Sequence, residues 1–217
     1  MDTPRQPSFV VGIAGGSASG KSTFAAALRN ELEGNGRGSL RVEQFSMDRY
    51  FRSIENGAPT IVSSDGEVRP DRNHPESADN AALVADVRRR SLADDAPDVI
   101  IIEGLMTLYV ESVRALLDLR LFVDLDADLR ALRRMLRTRG RLPDAPDTRE
   151  RLASAMAYYC ECARVGHALY VEPSRMYADL VLRGDSDLTR IAGLVGDIVC
   201  ARLTRPERSL QPAVSQG

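Results

Sequence analysis

The sequence predicts an α/β domain built on a parallel sheet with helices on both faces. Two observations carry that expectation. Strand-length apolar runs alternate along the chain with segments of helical periodicity, and the runs are nearly all apolar, the mark of strands buried on both faces. The segments richest in chemically useful residues also fall directly after those runs, where open parallel sheets hold their ligands.

Residues 8–14 (SFVVGIA) are short, apolar and rich in β-branched side chains, and they predict a buried first strand ending in glycines. Residues 22–33 carry apolar side chains at helical spacing and stop at Gly34-Asn35-Gly36. Residues 40–45 predict a second strand. Residues 46–78 are polar, with Gly, Pro, Ser, Asp and Asn clusters; so long an irregular connection is usually functional or mobile. A helix over 78–91 closes on three arginines. The run 98–103 (DVIIIE) is the clearest strand, and a short helix over 111–117 precedes a strand over 119–124. A strongly basic helix is expected over 129–139 and a long helix over 149–171, broken near Gly166. A strand over 180–183 and a helix over 188–203 complete the set. The expected organisation is one domain over 1–204, with a lid at about 130–148 and a disordered tail over 205–217.

Composition narrows the function classes. The 217 residues are 43% hydrophobic and 28% charged, near the soluble globular averages, which excludes wholesale disorder, collagen and coiled coil. A net charge of −2 provides no field to attract nucleic acid or an anionic membrane. No apolar run reaches the roughly 18 residues of a membrane span, and the N-terminus has no apolar leader. A cytoplasmic protein with no nucleic-acid or membrane partner is expected. Cys160, Cys162 and Cys200 have no metal-type spacing and read as reduced structural thiols. All but one of the 29 basic residues are arginine, and the exception is Lys21. A site that needs a compact ammonium on a flexible stem explains that exception.

Lys21 lies in GGSASGKS, residues 15–22, which fits G-x-x-x-x-G-K-[ST] between an expected strand and an expected helix. The backbone of Gly15, Gly16, Ser17, Ala18, Ser19 and Gly20 would cradle phosphates at a helix N-terminus, with Lys21 on the β- and γ-phosphates. The Ser22 hydroxyl would ligate Mg²⁺, and Thr23 closes the motif. Asp48, just past the second strand, could accept a proton from a substrate hydroxyl, orient a metal-bound water, or do both; alone it would read as a turn aspartate. Glu103 ends a buried strand where a nucleotide-bound Mg²⁺ expects a carboxylate. Arg130, Arg133, Arg134 and Arg137 share roughly one helical face, with Arg139 and Arg141 beyond. They form either a solvated face or an arginine lid that neutralises a transferring phosphoryl group.

Together these segments resemble the uridine kinase and phosphoribulokinase branch of P-loop kinases. GIAGGSASGKST looks like that family's phosphate loop, SMDRYFR its D-x-[FY]-Y segment, and NHPESADN its D-H-P-x-x-x-D stretch. VIIIEG resembles its E-G strand, the stretch from FVDLDADLR to RTRGR its lid, and YVEPSRMYADLVLRG its closing segment. The resemblance implies a three-layer P-loop fold with an Arg-rich lid, and ATP- and Mg²⁺-dependent transfer of a phosphoryl group to a hydroxyl of a small molecule. It implies Lys21, Asp48, Arg133 and Arg137 as catalytic residues and Asp48 as the base. Asp48, Tyr50, Arg72, Asn73, His74, Arg130 and Arg141 are the implied acceptor-binding residues, and Ser22, Asp48 and Glu103 the implied metal ligands. A homo-oligomer, dimer or tetramer, is a further implication.

The chain also departs from that pattern. Only SLADDAPDV separates Arg90 from the E-G strand, so the hairpin that carries Y-x-x-x-x-H-x-R in uridine kinases is missing, and Asn73 stands where the family has a ribose-binding aspartate. A nucleoside is the first-ranked acceptor on resemblance; a sugar phosphate, a pantothenate-like compound or another small alcohol is the alternative. A nucleotide-hydrolysing switch is the alternative of a different class. Residues 63–72, with Asp65-Gly66 as a turn signal, are the expected replacement hairpin, with Arg69, Arg72 and Asn73 as donors suited to a carboxylate or phosphate.

Overall fold

The computed structural model describes residues 7–34, 39–63, 66–141 and 148–204. Its centre is a five-stranded sheet formed by β1 (Phe9–Gly15), β2 (Val42–Ser46), β5 (Val99–Glu103), β6 (Leu119–Asp124) and β7 (Leu180–Arg183), in the order β2-β5-β1-β6-β7. Every pairing in it is parallel. The other two strands, β3 (Thr60–Val62) and β4 (Val68–Pro70), form a separate antiparallel hairpin.

The unbroken apolar strands bury both faces. On β5, Val99 and Ile101 join the core under α1 (Lys21–Gly34) and the C-terminal helix Leu188–Leu203. Ile100 and Ile102 join the opposite core with α2 (Asn80–Ser91) and α3 (Glu111–Arg114). β1 divides the same way, Val11 and Ile13 against Val10 and Ala14. Each fully buried aliphatic side chain contributes about 1.5–3 kcal/mol, so both helical layers are held by the strands' alternation. No helix among the described residues is long and apolar enough to cross a membrane.

Three expectations need correction. The connection over 46–78 is not irregular throughout: besides three short 3₁₀ turns it holds the β3–β4 hairpin, whose strands at Thr60–Val62 and Val68–Pro70 begin and end earlier than the expected 63–72. The helix expected from 78 starts at Asn80, because the Asp79 carboxylate caps it by accepting from Ala82 N at 3.0 Å. The chain does not break at Gly166. Helix α5 (Thr148–Tyr158) runs on through π-helical turns at Tyr159–Ala163 and His167–Val171 to Ser174. Gly166 serves a close approach instead, since a Cβ there would lie 2.5 Å from Asn73 Cβ and 2.6 Å from its carbonyl oxygen. The expected tail, 205–217, and part of the expected lid, 142–147, lie outside the described residues.

Candidate active site

The site begins where β1 ends. Gly15 has φ +148°, and a Cβ there would meet Val123 O at 2.5 Å, so the turn out of the sheet requires glycine. Ala18 takes φ 65°, and among the described residues no other non-glycine has positive φ. Together with Gly20 at φ 108°, it curls the loop in the manner that turns successive N–H groups toward an anion. The loop is tied by Ser19 N donating to Gly16 O at 3.1 Å, and Phe24 N to Gly20 O at 2.8 Å starts the helix behind it. Ser19 is fully buried and its Oγ has no hydrogen-bond partner.

Parallel register sets the next groups. Ser46 on β2 stands beside Glu103 on β5. Glu103, 5% exposed, accepts from Ser46 Oγ at 2.6 Å through one carboxylate oxygen and from Ser22 Oγ at 2.9 Å through the other. Burial pushes the Lys21 ammonium below its ordinary pKa; Glu103 and Asp48 oppose that shift, and Arg137 and Arg134 add to it. Asp48 lies exposed on the 3₁₀ turn Met47–Tyr50, directly after β2.

Two cavities meet at this point. One, of about 540 Å³, opens between the phosphate loop and the residues around Gly184 and Thr189, and includes Thr23 and Arg133. The other, of about 490 Å³, runs under the hairpin and includes Ser17, Asp48, Phe51, Arg72 and Tyr158. Lys21, Ser22 and Arg137 line both.

The basic helix α4 (Ala127–Arg141) distributes its arginines one by one. Arg137 and Arg141 reach the second cavity as expected. Arg133 turns to the first, where its Nη1 donates to Gly184 O at 3.0 Å. Arg130 does not reach an acceptor: it is 5% exposed, donates from Nε to Leu125 O at 2.9 Å, and packs on Gly16, where a Cβ would lie 2.7 Å from its Nη1. The helix starts beneath the phosphate loop, so its first arginine buttresses the loop and only later turns reach the cleft. Arg134, singled out only as one of the basic run, is a site residue that the sequence reading did not select. Its Nη1 donates to Ser17 Oγ at 2.7 Å, and its guanidinium lies 5.7 Å from the Tyr158 ring centroid. Its place beside Arg133 was the available signal, because adjacent helical residues point about 100° apart.

Two expected acceptor residues are not in the cleft. The Tyr50 hydroxyl donates to Asp86 on α2 at 2.9 Å, and its pKa is pushed up to about 12 by burial and by Asp86. His74 accepts from Glu76 N through Nδ1 at 3.2 Å, capping the turn Pro75–Ser77, and its ring meets Tyr170 edge-on at 5.4 Å. Asn73 does line the cleft, but its Nδ2 is used internally, on Tyr158 Oη at 3.4 Å and Cys162 Sγ at 3.3 Å.

Tyr158 is the second residue missed. Its hydroxyl donates to Pro70 O at 3.2 Å and accepts from Arg72 N at 3.2 Å, as well as from Asn73, so one side chain fastens residues 70–73 to α5. The Cys162 thiol adds a bond to Asp71 Oδ1 at 2.8 Å; burial and that carboxylate push its pKa up to about 11, which suits an inert structural thiol. Tyr158→Phe keeps the ring against Arg134 and removes all three tethers. The expected result is an acceptor KM raised about tenfold with the nucleotide KM unchanged, measured by steady-state kinetics with each substrate varied in turn.

The family model for the "Phosphoribulokinase / Uridine kinase family" matches residues 73–188, which include Asn73, the E-G strand and the basic helix. A uridine kinase of Chloroflexus aggregans is 30% identical over 197 residues, covering 81% of this chain and 87% of that protein. A uridine kinase of Staphylococcus epidermidis is 29% identical over 197 residues, covering 80% and 86%. Among solved structures, one described as "a Possible Uridine Kinase from Bacillus stearothermophilus" superposes with a TM-score of 0.53 at 16% identity, covering 83% of this chain and 91% of that one; that likeness concerns the fold.

Proposed function

The chain belongs to the phosphoribulokinase / uridine kinase family and is a P-loop phosphotransferase, and on that premise we propose that it moves the γ-phosphoryl group of ATP to a hydroxyl of a small molecule. The observation that carries this reading is the meeting of two cavities at Lys21, Ser22 and Arg137. A hydrolase or switch needs room for a nucleotide and a water; a second cavity of about 490 Å³ with a carboxylate at its edge suits a second substrate.

In this reading the nucleotide fills the first cavity, with its phosphates on the loop 15–22. Asp48 accepts the proton of the acceptor hydroxyl as its oxygen bonds to the γ-phosphorus and the bond to the β-bridging oxygen breaks. Lys21 stabilises the charge that collects on that leaving oxygen, and Arg137 and Arg134 face the transferring group. Ser22, Glu103 and Asp48 supply only oxygen donors, the set that Mg²⁺ takes, and Ser22 is already oriented by Glu103. A Mg²⁺ held by these residues would supply positive charge to offset that of the phosphates.

The names of the most similar relatives put a nucleoside first as acceptor. The test is ADP release by the full chain with ATP and Mg²⁺, with and without a panel of nucleosides, sugars, sugar phosphates and pantothenate. Acceptor-dependent ADP release with a phosphorylated product is expected. ADP release equal with and without every acceptor would overturn the reading in favour of a hydrolytic switch.

A further inference from the structure

The second cavity is rich in hydrogen-bond donors and poor in acceptors. Among its described lining residues Asp48 is the only carboxylate, against Lys21, Arg69, Arg72, Arg134, Arg137 and Arg141. Its neutral polar groups already have partners. Tyr158 Oη accepts from Arg72 N and Asn73 and donates to Pro70 O, Ser22 Oγ donates to Glu103, and Ser17 Oγ accepts from Arg134. Asp71, nearby on the same wall, accepts from Asn73 N and from the Cys162 thiol.

The cations differ in what they are free to do. Lys21 and Arg137 also line the nucleotide cavity, Arg134 is bound to the phosphate loop, and Arg69 is paired with Glu67 at 2.9 Å. Arg72 is exposed, and its guanidinium stands 5.5 Å from the Phe51 ring centroid. No acid among the described residues forms an ion pair with it. Arg141 reaches the same cavity from the end of α4. A neutral sugar presents several hydroxyls that need acceptors, and here the single carboxylate is taken by the reacting hydroxyl. Forked guanidinium donors match a phosphate or carboxylate.

Building on the phosphotransfer reading, we propose that the acceptor is an anionic alcohol. Its hydroxyl meets Asp48, and its phosphate or carboxylate group is held by Arg72 from the hairpin wall and Arg141 from the lid helix. The electrostatics agree: Arg137 is held below its ordinary pKa by burial and by the nearby charges of Arg134 and Arg141, a repulsion that a bound anion relieves.

The first arm of the test does not depend on turnover. Orthophosphate is titrated calorimetrically into the full chain saturated with Mg²⁺ and a non-hydrolysable ATP analogue. The wild type is expected to bind it, Arg72→Gln at least about tenfold more weakly, and Arg72→Lys in between. No binding, or equal binding in Arg72→Gln, overturns the proposal. In the second arm kcat/KM is compared for matched pairs, ribose 5-phosphate with ribose for a phosphate and glycerate with glycerol for a carboxylate, beside uridine. A charged member is expected to exceed its neutral partner by about tenfold or more, with that ratio lost in Arg72→Gln. Efficient turnover of uridine, undiminished by Arg72→Gln, overturns the anionic acceptor and leaves the kinase reading standing. Arg72-dependent phosphate binding with no acceptor-dependent ADP release does the opposite, supporting the anion site and ending the kinase reading.

Discussion

Lys21→Ala is expected to lower kcat by about 10²–10³-fold, the loss typical of removing one preorganised charge from a transition state. Lys21 lines both cavities, and in the proposed mechanism its ammonium stands where phosphoryl group and leaving oxygen part. It is buried enough to push its pKa down, while Glu103 and Asp48 support the charged form. A bound polyphosphate adds further negative charge and strengthens that support. Lys21→Arg is expected to lose nearly as much. The planar guanidinium is larger than the ammonium, and the loop around it is held closed by the left-handed residues Ala18 and Gly20. Steady-state ADP formation at saturating nucleotide and acceptor measures both variants. Near-wild-type kcat in Lys21→Ala would end the proposed mechanism.

Asp48→Asn is expected to lower kcat by about 10²–10⁴-fold, the range for loss of a general base. Asparagine keeps the size of the side chain and cannot take the acceptor's proton. Asp48 is exposed on a turn and no other carboxylate among the described residues lines the second cavity, so no neighbour is placed to substitute for it. The nucleotide KM is expected to stay within about twofold, because Ser22, Glu103 and the loop backbone remain. A Mg²⁺ titration separates the two roles of Asp48. A base alone leaves the Mg²⁺ requirement unchanged in the variant, and a metal ligand raises it. A variant that retains more than about a tenth of wild-type kcat would remove Asp48 as the base.

Much of the fold was legible because its signals are local. Strands 99–103 and 119–124 are bounded within a residue of their sequence expectation, since an apolar run between polar ends leaves few registers. The phosphate loop was legible for the same reason: its glycines, lysine and serine act within eight consecutive residues. Gly166 misled because a helical glycine has two readings, a break or a close contact, and only the position of Asn73 distinguishes them. Tyr50 and His74 misled because a polar side chain near a site can equally well be used by its own wall, here by Asp86 and by Glu76 N.

By itself the sequence determined the parallel sheet, the phosphate loop and the carboxylates that follow two of its strands, because period, turn chemistry and motif spacing all act over short stretches of chain. Only the tertiary structure decided how the arginines divide, with Arg130 beneath the loop, Arg133 on the first cavity, Arg134 and Arg141 on the second, and Arg137 lining both. It alone joined Tyr158 and Cys162 to residues 70–73, about ninety positions away. The reason is geometric. A side chain's role depends on which distant surface its helix face meets, and that meeting is fixed by how the helices pack on the sheet, a property spread over the whole chain.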